Sequence, residues 1–129
     1  MIIGNYIAAA IKASSAMNAL ISGRIYPVII PQNDPYPAIT YSVTNSPANT
    51  GHETAATQDR ATVQFNIWAT TYASCLAIDT ALRTLIDNVS GAAGGVTVTG
   101  CDYAGGSDGI DDKLEYFFIS STYEFRYKR

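Results

Sequence analysis

Arg60-Ala61-Thr62-Val63-Gln64-Phe65-Asn66-Ile67-Trp68-Ala69 is the stretch on which the fold turns. Ala61, Val63, Phe65, Ile67 and Ala69 share one parity, and Thr62, Gln64, Asn66 and Trp68 share the other. Unbroken alternation of this kind, with β-branched and aromatic residues on the apolar side, predicts a strand with one face in the core. Trp68 is out of place on the polar parity. An indole there either packs under a loop or marks an interaction surface, since Trp is enriched where proteins meet.

Upstream, residues 45–59 are rich in Asn, Thr, Ala and Gly with no apolar period and read as a long exposed loop or an extended hairpin tip. Residues 37–43 alternate again, with Ile39, Tyr41 and Val43 on one side, and predict a second strand. Four prolines between Pro27 and Pro37 remove backbone donors and predict an irregular connector. Before it, Ile3, Tyr6, Ile7, Ala10, Ile11, Ser14, Met17 and Ile21 recur at three- and four-residue steps, the stripe of one amphipathic helix that Gly23 ends.

Downstream, Thr70 or Thr71 suits a helix N-cap, followed by a buried stripe of Cys75, Ile78, Leu82, Leu85, Ile86 and Val89. Asp79, Arg83 and Asp87 fall on the solvent side, where Asp79 and Arg83 are spaced to pair. Glycines at 91, 94 and 95 stop the helix, residues 96–101 form a short strand of alternating Val and Thr, and residues 102–113 read as a Gly- and Asp-rich turn. Residues 114–127 close the domain as a long strand, with Phe117, Ile119, Tyr123, Phe125 and Tyr127 on one parity. The expectation is one α+β domain over residues 1–129, with loops near 45–59 and 102–113. Its sheet is mainly antiparallel and four-stranded or slightly larger, with two helices on one face in the order α-β-β-α-β-β.

Composition narrows the function. The 129 residues are 47% hydrophobic and 15% charged, which suits one globular core, and no apolar run is long enough to cross a bilayer. The start Met1-Ile2-Ile3-Gly4 has no basic segment or small-residue cleavage site, so the expected place of assembly is the cytoplasm. A net charge of −3 argues against a surface built to neutralise phosphates. Cys75 and Cys101 stand far apart and outside any C-x-x-C pair, as buried or neutral free thiols do.

Catalytic patterns fail one by one. His52, the only histidine, stands beside Glu53 in the polar loop, and no G-x-S-x-G presents a serine nucleophile. The glycines at 91–95 follow a helix and lack the Lys-Ser/Thr of a phosphate loop. Asp102, Asp108, Asp111 and Asp112 suggest a calcium loop, but the third and fifth positions from Asp102 are Ala104 and Gly106, which offer no side-chain oxygen. No enzyme, cofactor or metal site is expected.

The succession Gly23-Arg24-Ile25-Tyr26-Pro27, Pro31-Gln32, Tyr36-Pro37-Ala38-Ile39-Thr40-Tyr41 and Asp59 through Ala69, with Tyr72-Ala73 opening the next helix, resembles the tail completion, or tail terminator, proteins of siphophages and related prophages. The resemblance covers residues 3–89, with a final strand compatible in type. It implies a homo-oligomeric, hexameric ring in the virion at the head-proximal end of the tail. Such a ring caps the tail tube protein and joins the tail to the head connector or stopper protein, and DNA passes through it without specific binding. An acidic subunit suits such a lumen, because basic channels attract DNA by counterion release. Another neck component, an adaptor or stopper, is the alternative, with a non-viral protein-binding module behind it. Candidate contact residues are His52, Glu53, Arg60 and Trp68, and the acidic Asp108, Asp111 and Asp112 are candidates to face the lumen or the connector.

Overall fold

A computed structural model describes residues 3–28, 37–45, 58–87, 90–111 and 116–128. Along the chain run α1 (Ile3–Ala13), α2 (Ser15–Ile21), β1 (Ile25–Pro27), β2 (Ala38–Asn45), β3 (Gln58–Ala69), α3 (Tyr72–Ile86), β4 (Gly91–Ala93), β5 (Val96–Asp111) and β6 (Tyr116–Lys128). The strands form one sheet in the order β1-β2-β3-β6-β5-β4. β1 and β2 are parallel and every other pair is antiparallel.

The expected α-β-β-α-β-β layout, a mainly antiparallel sheet of four or slightly more strands with two helices, is therefore corrected to a six-stranded mixed sheet with three helices among the described residues. Each difference has a local cause. The single N-terminal helix is two, because Ser14 leaves helical geometry at φ −83°, ψ 119° and its hydroxyl accepts the Met17 N–H at 3.3 Å. The apolar stripe continues across the break, so spacing alone could not reveal it. Ser22 and Gly23, at φ 54° and 75°, turn the chain out of α2. Only three residues form β1, too few to display a period, and the Arg24 carbonyl accepts the Ile39 N–H at 3.0 Å to start its pairing with β2.

Residues 102–111, expected as a turn, instead continue β5 to Asp111 against β6. Shifts between Val98 and Gly100 and between Tyr103 and Gly105 interrupt that pairing, and a bulge of this kind erases the alternation that marks a strand. Gly94 and Gly95 join β4 to β5 at φ 58° and 79°, the positive pair that a two-residue hairpin turn requires. Gly94 is also confined by α1, since a Cβ there would stand 2.3 Å from the Asn5 carbonyl oxygen.

The core lies between the helices and the odd-numbered residues of β3 and β6. Ala61, Val63, Phe65, Ile67 and Ala69 are buried, as are Ile119, Ser121, Tyr123, Phe125 and Tyr127. Helix α1 contributes Ile3, Tyr6, Ile7 and Ile11, and the Tyr6 ring meets Phe125 edge-on at 6.2 Å. Helix α3 starts at Thr71, whose hydroxyl accepts the Ser74 N–H, and buries Cys75, Ile78, Leu82 and Ile86.

Asp79 corrects the expected surface pair with Arg83. It sits four residues after Cys75 and three before Leu82, at the border of the buried stripe, and accepts a 2.6 Å hydrogen bond from the hydroxyl of buried Ser121. Arg83 pairs with Asp87 at 3.5 Å and lies 4.0 Å over the Tyr103 ring. Beneath them, Tyr123 packs against Phe65 and Tyr103 at 5.7 and 5.3 Å, and its hydroxyl has no hydrogen-bond partner among the described residues.

Two stability measurements follow. Tyr123→Phe removes an unsatisfied hydroxyl and is expected to leave the urea midpoint unchanged or raise stability by up to about 1 kcal/mol, whereas Asp79→Ala strands Ser121 and costs about 1–3 kcal/mol. Gly94→Ala combines a left-handed backbone with a clash against α1 and is expected to cost more than about 2 kcal/mol, well above Gly95→Ala, which meets nothing within 4 Å.

Candidate assembly surfaces

With the odd-numbered side chains of β3 and β6 turned to the helices, the even-numbered ones form a second sheet face. Trp68 is half-buried there, opposite Ala38 on β2 and Phe118 on β6, and its ring lies 5.2 Å from that of Phe118. The Phe118 ring in turn covers Gly109 of β5, where a Cβ would approach within 2.7 Å. The indole packs on a side chain of the neighbouring strand and is half-buried.

Beyond the Trp68–Phe118 pair the face becomes polar and uncharged. Gln64 donates to Asn66 and Ser120 at 3.4 Å, and the Ser120 hydroxyl donates to Asn66. At the far end Arg60, exposed, stands directly across from Arg126, and Arg126 donates to Asp102 on β5 at 2.7 Å. That ion pair is solvated on both sides, so its worth is at most about 1 kcal/mol. The face grades from aromatic through neutral polar to charged, which suits contact with another protein surface better than contact with a phosphate backbone.

The sequence candidates scatter. Trp68 and Arg60 share the second face at opposite ends of β3. Asp108 lies on the helix side of β5 and accepts a hydrogen bond from the Tyr72 hydroxyl, which holds that phenol protonated to higher pH than usual. Asp111 ends β5, and His52, Glu53 and Asp112 lie outside the described residues.

Two of the shallow clefts among the described residues lie beside the sheet. One, of about 290 Å³, opens between α3 and β5 and is lined by Tyr72, Leu76, Asp79, Tyr103 and Asp108 among others. The other, of about 310 Å³, lies beside β1 and includes Gly4, Val28, Tyr41 and Val43. Alternation could not have found the first, because Tyr72 and Asp108 meet only through the tertiary packing of α3 over β3 and β6, which brings its first turn beside β5.

In the first cleft a serine hydroxyl does meet a carboxylate, Ser121 on Asp79, but Ser121 is buried, and no histidine stands among the described residues. Asp79 is occupied by Ser121. Among the described residues no three His, Cys, Asp or Glu side chains gather as a metal would need. Cys75 and Cys101 are buried free thiols, and burial pushes Cys75 above its ordinary pKa and Cys101 up to about 12, so both are neutral at physiological pH. No helix of the described residues is long and apolar enough to cross a membrane.

No curated protein sequence matches the chain significantly. A solved chain from the virion of a native gene transfer agent particle has the same fold, with a TM-score of 0.72, 14% identity and coverage of 99% of this chain and 98% of the other. A second solved chain aligns with a TM-score of 0.59 and 17% identity over 100% and 97% of the two. At such identities the likeness speaks to the fold alone. The family model described as tail completion protein gp17 matches residues 5–128, nearly the whole sequence. The chain belongs to the tail completion protein gp17 family, and it is a structural, non-enzymatic protein of the bacteriophage virion tail.

Proposed function

We propose that this protein closes the head-proximal end of the tail as a hexameric ring, stops growth of the tail tube, and presents the joining surface for the head connector. The family match over residues 5–128 carries this reading. Two features of the subunit support it. A ring of identical copies joined head to tail needs two different contact surfaces on each subunit, and the subunit offers a mixed polar and aromatic sheet face as well as two sheet edges. A subunit of net charge −3 also suits a channel through which DNA must slide without being held.

Within this reading Trp68, with Phe118 beneath it, is a contact to a sister subunit or to the tail tube, and Arg60 lies on the same face. His52 and Glu53 are assigned to contacts of the same kind from the chain between β2 and β3. Asp111, at the end of β5, and the neighbouring Asp112 are the candidates to face the lumen or the connector.

Deleting the gene and imaging the products by electron microscopy tests the proposal. The expected products are full heads lying free beside unattached or overlong tails, and the wild-type protein should copurify with isolated tails and not with isolated heads. Recovery on heads alone would instead identify an adaptor or stopper, and particles of normal form would reject both roles. For Trp68, the Trp68→Ala protein is expected to keep its circular dichroism spectrum while the yield of joined particles falls at least about tenfold, as for a central aromatic contact. Unchanged oligomer size and tail attachment would remove Trp68 from the interface.

A further inference from the structure

Asp108-Gly109 is the one place in the sequence where an Asp or Asn precedes a glycine. Of all aspartyl pairs, Asp-Gly closes on itself most readily, because glycine offers no side chain to hinder its own nitrogen and leaves the backbone free to turn. In that closure the Gly109 nitrogen bonds Asp108 Cγ, the proton of the nitrogen and the hydroxyl of the carboxyl group leave as water, and a succinimide ring forms. Water then reopens the ring at either carbonyl. Opening at the main-chain carbonyl of Asp108 leaves the chain running through Cγ as an isoaspartyl linkage, with no net change in mass and nothing oxidised or reduced.

The structure calls for glycine at this position and leaves the bond near solvent. The Phe118 ring of β6 lies over residue 109, where a Cβ would come within 2.7 Å of it, so any larger residue would displace the ring that packs on Trp68. Among the described strands only β6 pairs with β5 at this level, Asp108 against Ile119 and Gly109 against Phe118, and Asp108 is exposed.

One side chain reaches the carboxyl group from outside the strand. The Tyr72 hydroxyl, in the first turn of α3, donates to Asp108. Its ring is fixed in turn, edge-on to Phe117 at 6.0 Å, and the helix that carries it is held by the Thr71 cap and by buried Cys75 and Ile78. The Asp108 side chain is thereby drawn to α3, and this hydrogen bond must break before Cγ can swing onto the Gly109 nitrogen.

We propose that Asp108 is a site of spontaneous succinimide formation and isomerisation, and that Tyr72 guards it by holding the carboxyl group toward α3. At stake is the register of β5. An isoaspartyl linkage adds one carbon to the main chain, which moves Gly109, Ile110 and Asp111 off Phe118, Phe117 and Tyr116 and takes the glycine from under the Phe118 ring. A tail protein in a free particle is not renewed by synthesis, so the lifetime of this end of the sheet rests on keeping that carboxyl group off that nitrogen. None of this depends on the oligomeric state.

Ageing the purified full chain at neutral pH and physiological temperature, with isoaspartate at residue 108 counted by peptide mapping, tests the proposal. Tyr72→Phe keeps the ring beside Phe117 and loses only the hydroxyl, and it is expected to form isoaspartate at 108 at least about threefold faster than wild type, the order set by one exposed hydrogen bond. Leu76→Ala loosens packing in the same cleft but leaves the hydroxyl in place, so it should age at the wild-type rate. In urea, where the fold is lost, all three chains should age alike. Equal rates for folded wild type and folded Tyr72→Phe would overturn the proposal. So would a Leu76→Ala rate that matches Tyr72→Phe, or a difference between wild type and Tyr72→Phe that survives in urea.

Discussion

Everything in this subunit depends on the register between β3 and β6. Their pairing runs without a shift from Gln58 against Lys128 to Ala69 against Phe117. Because side chains alternate along a strand, sliding either strand by one residue would turn Phe65 and Tyr123 toward solvent and bring Gln64 and Thr122 against the helices. The correct register places two apolar rows side by side and lets α1 and α3 close over them. It also brings Trp68 beside Phe118, and Gln64 and Asn66 beside Ser120, so one alignment sets both the core and the opposite face.

Polar groups under the helices reinforce the same arrangement. Asp79 reaches from α3 to Ser121 on β6, and Asp87 reaches to the backbone of β5 at Tyr103. Arg83 lies between them, paired with Asp87 and stacked on the Tyr103 ring. The helix is thereby tied to two adjacent strands by bonds that work only at one position along its axis. Hydrophobic burial alone would hold α3 on the sheet but would specify its place less tightly, since apolar contacts are not directional.

What the sequence made legible follows from which signals are local. The parity of β3 and β6 and the Thr71 cap of α3 are written in residues a few positions apart, and the structure agrees with them. The outer half of β5 could not be read, because Gly105, Gly106, Asp108 and Gly109 have low strand propensity and are extended only by pairing with β6. The break at Ser14 was hidden by a stripe that runs through it. Of the site, Trp68 was placed on the second face by parity alone. Asp108 carries no strand signal of its own, its partner Tyr72 comes from another element, and no spacing announces which strand will finish at the edge of a sheet.

The pairing of β3 with β6 also sets an order of events during synthesis. β6 is translated after every other element, so β3 leaves the ribosome with one flank and much of its apolar row uncovered until the rest has emerged. β5 becomes an extended strand only when β6 is there to hold it. The outer edge of β5 therefore does not exist on a nascent chain that lacks β6. An extended β5 edge thus appears only after β6 has emerged to hold it, which keeps an open strand off half-made protein in a crowded cell.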